Sequence, residues 1–269
     1  MGANTTYAPF TDRFTFEAFD MRHEVFRAGA GPAVLVMHEL PGMVPEFWRF
    51  AHWLVEQGFT VWAPDLYSAP GRPSKALGPA RGLWRACISR EIHLFATNAS
   101  SPVTIWLRAL TREMYEKVGG AGVGVIGMCM TGNFALSLVV DVAVRATVAS
   151  QPALPLALTA RGKSALHMSE MEKDALSVRT DVPVMALRFQ GDPSCTRHRF
   201  DAIETLVGEE RFRPIVLPDT AQNPKGNPFP HAVLTKDLID AEGEPTKQAA
   251  EAVFTFLKEN LQPAKNSVE

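Results

Sequence analysis

The apolar residues of this chain fall into two kinds of pattern, and the two alternate from end to end. Ala33-Val34-Leu35-Val36-Met37 is an unbroken apolar run of strand length, as expected of a strand covered on both faces. Strands are likewise predicted at Phe59–Ala63, Gly122–Ile126, Ala146–Ser150, Val182–Phe189 and Phe212–Leu217. Two earlier candidates, Phe14–Phe19 and His23–Arg27, are bounded by Gly29-Ala30-Gly31-Pro32. Between them the pattern turns helical: Pro45–Gln57 with Gly58 as its stop, Leu83–Phe95, Val103–Lys117, Phe134–Val142, Arg197–Leu206 and Thr246–Leu261.

Strands that alternate with helices predict an α/β fold, a mostly parallel sheet with helices on both faces. Ser68–Pro79, rich in Pro, Gly and small residues, reads as a loop across one end of that sheet. Pro155–Thr180 is mixed and polar, a peripheral stretch of helix and loop. The tail from Gln262 is expected to fray. No repeat, low-complexity tract or linker divides the chain, so a single domain over residues 1–269 is the economical reading.

Composition changes little in this picture. The 269 residues are 46% hydrophobic and 21% charged, ordinary for a soluble enzyme. With 27 basic against 29 acidic residues, the formal charge of −2 predicts no nucleic-acid or anionic-membrane partner. Residues 1–10 lack a secretory pattern, and the longest apolar runs are too short to span a membrane. Three scattered cysteines, Cys87, Cys129 and Cys195, make neither a disulfide framework nor a metal motif. A reducing, cytoplasmic setting is expected, with no cofactor and no metal, and with a small molecule as the partner.

The chemistry starts at Gly127-Met128-Cys129-Met130-Thr131-Gly132. A strand, a glycine-bounded turn and a helix in that order make the context of a nucleophile elbow, which raises its central residue above the strand ends. Here that residue is Cys129, at a helix N-terminus where backbone N–H groups and the helix dipole favour a thiolate. The plain alternative is a buried structural cysteine. No G-x-S-x-G competes for the role, and Thr131 lies one position too far along.

A thiol nucleophile needs a base, and the base needs an orienting group. Both should lie in loops at the carboxyl ends of the strands. Asp192 follows the strand ending at Phe189, and His231 lies in the loop after Phe212–Leu217. That gives the chain order nucleophile, acid, histidine. Asp192 as a mere helix cap, and Asp219 as the acid in its place, stay open on sequence alone. Glu39 follows the strand 33–37, in the loop expected to supply half of an oxyanion hole from the N–H of Leu40, with the N–H of Met130 as the other half. A loop carboxylate bonded to nearby backbone is the alternative for Glu39.

With these residues in view, the chain resembles the dienelactone hydrolase family of carboxymethylenebutenolidase-like α/β-hydrolases over about residues 15–260. The resemblance is carried by His38-Glu39-Leu40-Pro41-Gly42, by the stretch Glu56–Tyr67 ending in Pro64-Asp65-Leu66-Tyr67, and by the cysteine elbow. Gly191-Asp192 and His231 match more thinly. The resemblance implies Cys129 as nucleophile, Asp192 as orienting acid, His231 as base and Glu39 as the glutamate that controls ionisation of the cysteine. It implies hydrolysis of an enol-lactone through an acyl-thioester without a metal.

Two departures stand out. Thr131 occupies a family glycine position. The stretch Ala232-Val233-Leu234-Thr235-Lys236 lacks the arginine that dienelactone-cleaving members use to hold a substrate carboxylate. Arg72, Arg81 and Arg85 are substitutes to consider, with Trp84 either lining the pocket or packing beneath a lid over 68–95. Hydrolysis of a lactone or activated ester is the expected activity. A binding or redox-sensing homologue, an acyltransferase and a carbon–carbon hydrolase are the alternatives.

Overall fold

The computed structural model describes residues 9–67, 101–153, 165–166 and 168–262. Eight strands form one sheet: β1 (Asp12–Ala18), β2 (Met21–Ala28), β3 (Ala33–Met37), β4 (Thr60–Pro64), β5 (Val123–Met128), β6 (Val144–Ser150), β7 (Val184–Phe189) and β8 (Phe212–Leu217). Their order across the sheet is β1-β2-β4-β3-β5-β6-β7-β8. The β1–β2 and β2–β4 pairs are antiparallel and every later pair is parallel. Sequence and structure agree on a mostly parallel α/β sheet.

The apolar run of β3 divides between two cores. Ala33, Leu35 and Met37 face one side, and Val34 and Val36 the other, as the twofold alternation of a strand requires. Helix α1 (Pro45–Glu56) and helix α6 (Pro245–Leu261) cover the second face with Phe47, Phe50, Leu54, Val253 and Leu257. The first face is covered by α2 (Pro102–Val118), α3 (Met130–Ser137), α4 (Glu170–Val178) and α5 (Arg197–Val207).

Local signals set the helix ends. Ser101 caps α2 by accepting the Thr104 N–H at 3.1 Å, with Pro102 at the first helical position. Ser169 and Glu172 form a reciprocal capping box on α4; such caps are worth about 1 kcal/mol each.

Two predicted boundaries differ. The helix expected over Phe134–Val142 begins at Met130 and gives way after Ser137 to a 3₁₀ turn over Leu138–Val140. Every residue of α3 is buried, so the apolar pattern has no polar face to mark its phase. Phe19, expected in a strand, sits in the β1–β2 turn with φ 51°. The predicted elements over Ser68–Phe95, and most of Pro155–Thr180 ahead of α4, lie outside the described residues, as does the tail from residue 263. Among the described residues no helix is long and apolar enough to cross a membrane.

Candidate active site

Cys129 caps α3 directly after β5, with φ 56° and ψ −122°. A non-glycine residue held there costs on the order of 1–3 kcal/mol, so its surroundings must impose it. They do so by close backbone approach. A Cβ on Gly127 would lie 2.0 Å from the Thr131 carbonyl oxygen, and one on Gly132 would lie 3.0 Å from Pro152 Cα. The Cys129 N–H donates to the Ser150 carbonyl at 3.0 Å, and its own carbonyl accepts from Gly132 and Ala153. The side chain stays partly exposed.

Thr131, the departure from glycine, is fully buried. Its hydroxyl accepts the Met128 N–H at 2.7 Å and lies 3.1 Å from the Met37 carbonyl oxygen. The hydroxyl ties the elbow to the end of β3.

Asp192 follows β7, and its carboxylate is divided between two tasks. Oδ1 accepts the N–H groups of Ser194 and Cys195 at 2.8 and 3.0 Å, and Oδ2 lies 2.7 Å from His231 Nδ1. Turn-building and contact with the histidine therefore coexist in one residue. Asp219, the competing acid, accepts the Gly191 N–H at 2.7 Å and so braces the turn beneath Asp192.

The Cys129 sulfur lies in the surroundings of the same imidazole, near enough to act on its charge. Burial pulls the imidazole pKa down, but the bond to Asp192 and the nearby Cys129 outweigh it and hold it well above the ordinary range. Cys195, the second described cysteine, is fully buried. Burial first, and then the charge of Asp192, push its thiol well above the usual value.

Glu39 sits at the end of β3, 7% exposed. Thr235 donates its hydroxyl to Glu39 Oε1, and Gln151 Nε2 donates to Oε2 at 3.1 Å. Burial raises the carboxyl pKa, against the lowering effect of Thr235, His231 and Gln151. The bonds of Glu39 are thus to distant side chains rather than to nearby backbone. The register Met37↔Gly127 sets the ends of β3 and β5 side by side, with Leu40 in the loop after the one and Met130 opening the helix after the other. His38 is buried, with Nδ1 3.0 Å from the Glu39 carbonyl oxygen and Nε2 accepting the Leu66 N–H at 3.1 Å. Burial lowers its pKa, which suits a neutral, structural ring.

The candidate residues Cys129, Asp192, His231 and Glu39 therefore converge at the carboxyl ends of β5, β7, β8 and β3. Thr235, Gln151 and Asp237 join them without any motif to announce them. Arg72, Arg81, Trp84 and Arg85, the pocket candidates, lie outside the described residues. Among the described residues no three His, Cys, Asp or Glu side chains are grouped to hold a metal ion.

An eight-stranded sheet of this order, with its polar cluster on a strained turn after β5 and on later loops, is an α/β-hydrolase. The sequence profile of the dienelactone hydrolase family matches residues 23–204, more than half of the chain, and the chain belongs to that family. No curated protein matches the sequence. Among solved structures, a candidate dienelactone hydrolase from Klebsiella pneumoniae subsp. pneumoniae is similar at TM-score 0.62 and 15% identity, over 92% of this chain and 98% of that one. A dienelactone hydrolase-like promiscuous phosphotriesterase from metagenomic libraries is similar at TM-score 0.59 and 16% identity, over 93% and 97%. A cold-adapted esterase from an Arctic intertidal metagenomic library is similar at TM-score 0.57 and 13% identity, over 93% of each. At these identities the likeness is one of fold.

Proposed function

We propose that this hydrolase cleaves a lactone or an activated ester through Cys129, His231 and Asp192. One observation carries the reading: a cysteine held in a strained elbow neighbours an imidazole whose Nδ1 lies 2.7 Å from a buried carboxylate. A thiol, a base and an orienter in contact are what covalent acyl transfer needs.

The Cys129 thiolate adds to the substrate carbonyl carbon. The N–H groups of Leu40 and Met130 receive the developing oxyanion, each worth on the order of 3 kcal/mol of barrier. Collapse breaks the bond to the leaving oxygen, which takes the proton held on His231, and an acyl-thioester remains. His231, oriented by Asp192, then removes a proton from water, and the resulting hydroxide displaces the thiolate as the acid departs. A thiolate leaves more readily than an alkoxide, so the first collapse favours substrates whose leaving oxygen is stabilised. Enol lactones and aryl esters fit this; simple alkyl esters and amides fit poorly. Glu39, buried beside His231, adjusts the charge around the pair as substrate binds.

The test is hydrolysis of dienelactone, dihydrocoumarin and p-nitrophenyl acetate by the wild type and by Cys129→Ala. Turnover of at least one substrate that disappears in the variant is the expected result. Turnover that survives in Cys129→Ala would sink the thiol mechanism, and no turnover in either would favour the binding or redox role.

A further inference from the structure

Glu39 is wedged between two parts of the site that are far apart in sequence. The donor to Oε1, Thr235, is in the same loop as His231, four residues on. The donor to Oε2, Gln151, follows Ser150, whose carbonyl accepts the Cys129 N–H. Each donor is itself held. Arg49 of α1 donates to the Thr235 carbonyl at 2.8 Å, and the Ser150 hydroxyl bonds to Gln151 Oε1. Gln151 has φ 34°, and its N–H donates to the Leu187 carbonyl at 2.6 Å.

We propose that Thr235 and Gln151 are positioning residues for Glu39, which fix its carboxylate between the histidine loop and the strand end behind Cys129 and so set the charge that His231 feels. The proposal rests on the reading of His231 as the base.

Both donors are neutral, so neither compensates the carboxylate with a full charge. The charged groups around Glu39 are His231 and Asp237 from the loop after β8, whose effects on it are opposite in sign. His231 in turn neighbours Cys129. Arg49 is spent on the Thr235 carbonyl, and the neighbouring His38 turns its ring to Leu66. Within this set the hydroxyl of Thr235 is the largest influence favouring the ionised carboxylate. Thr235→Val keeps the shape and removes the donor. The variant should hold Glu39 neutral to higher pH and strip His231 of part of its neighbouring anion.

The experiment is a ¹³C NMR titration of the His231 ring and the Glu39 carboxyl carbon, assigned by their loss in His231→Asn and Glu39→Gln. In Thr235→Val the Glu39 midpoint should rise by about half a pH unit or more, and that of His231 should fall. Thr235→Ser should superimpose on the wild type. In Glu39→Gln, adding Thr235→Val should leave His231 unmoved. Should Thr235→Val not fold, Gln151→Met removes the other donor and predicts the same displacement. Unchanged midpoints in Thr235→Val, or a His231 shift of equal size when Thr235→Val is added to Glu39→Gln, would overturn the proposal, as would loss of the fold in both variants. No substrate is needed, so a chain that hydrolyses nothing would count against the hydrolytic reading and leave these titrations to decide.

Discussion

Asp237 holds His231 by its main chain: Oδ2 accepts the His231 N–H at 3.0 Å. The same carboxylate accepts N–H groups from Ala232 and Asn227 and the side-chain amides of Gln222 and Asn227. It is fully buried. Replacing it by Ala would strand several buried donors, at about 1–3 kcal/mol each before relaxation. Asp237→Ala should therefore melt earlier than the wild type and lose turnover through a fall in kcat larger than any rise in KM. Chemical denaturation together with steady-state kinetics checks both.

Asp192→Asn should be nearly isosteric and yet severe. Its amide N–H would donate to His231 Nδ1, leaving a hydrogen on the nitrogen that faces Cys129. A ring in that tautomer cannot act as the base, and kcat should fall on the order of 10²–10⁴-fold. Thermal melts by circular dichroism would show that the fold survives.

The raised pKa of His231 makes a signed prediction for stability. A folded pKa above the unfolded one means that the native state binds the extra proton in the window between them. The stabilisation is complete below the ordinary imidazole value and is lost as pH rises through the raised one. Melting temperatures followed upward from pH 6 should decline more steeply in the wild type than in His231→Asn.

The elbow sets local strain against function. Cys129→Gly should be more stable than Cys129→Ala by about 1 kcal/mol, because glycine alone adopts φ 56° without a Cβ penalty. Both should be inactive. Gly127→Ala should do the opposite and destabilise by more than about 3 kcal/mol, since the added methyl meets backbone at 2.0 Å. Parallel urea denaturation of the three variants gives the order.

Much of this was legible in the sequence where the cause is local. The apolar run Ala33–Met37 reads as a strand because both of its faces are buried, and Gly127 and Gly132 mark a turn because no side chain fits there. The order Cys129, Asp192, His231 follows from loops gathering at one end of a parallel sheet. The helix start at Met130 was hidden because α3 is buried all round. Thr235, Gln151 and Asp237 were hidden for another reason. Each is an ordinary polar residue whose importance comes from a partner met only on folding: 196 residues separate Thr235 from Glu39, and 112 separate Gln151 from it. Thr131 stands at a family glycine position with nothing in the sequence to explain it; in the fold its hydroxyl accepts the Met128 N–H.

The loop from Gln222 to Asp237 closes on itself. The Asn223 N–H meets the Asp237 carbonyl at 2.9 Å, Gly226 donates back to Asn223, and Gln222 reaches the Asn227 carbonyl. Its geometry is therefore fixed at the neck, and the exposed Phe229 near its tip takes no part in those bonds. Such a loop behaves as a cartridge. Its tip can be redrafted by mutation, in nature or in the laboratory, while the neck keeps its shape and the His231 main chain stays tied to Asp237.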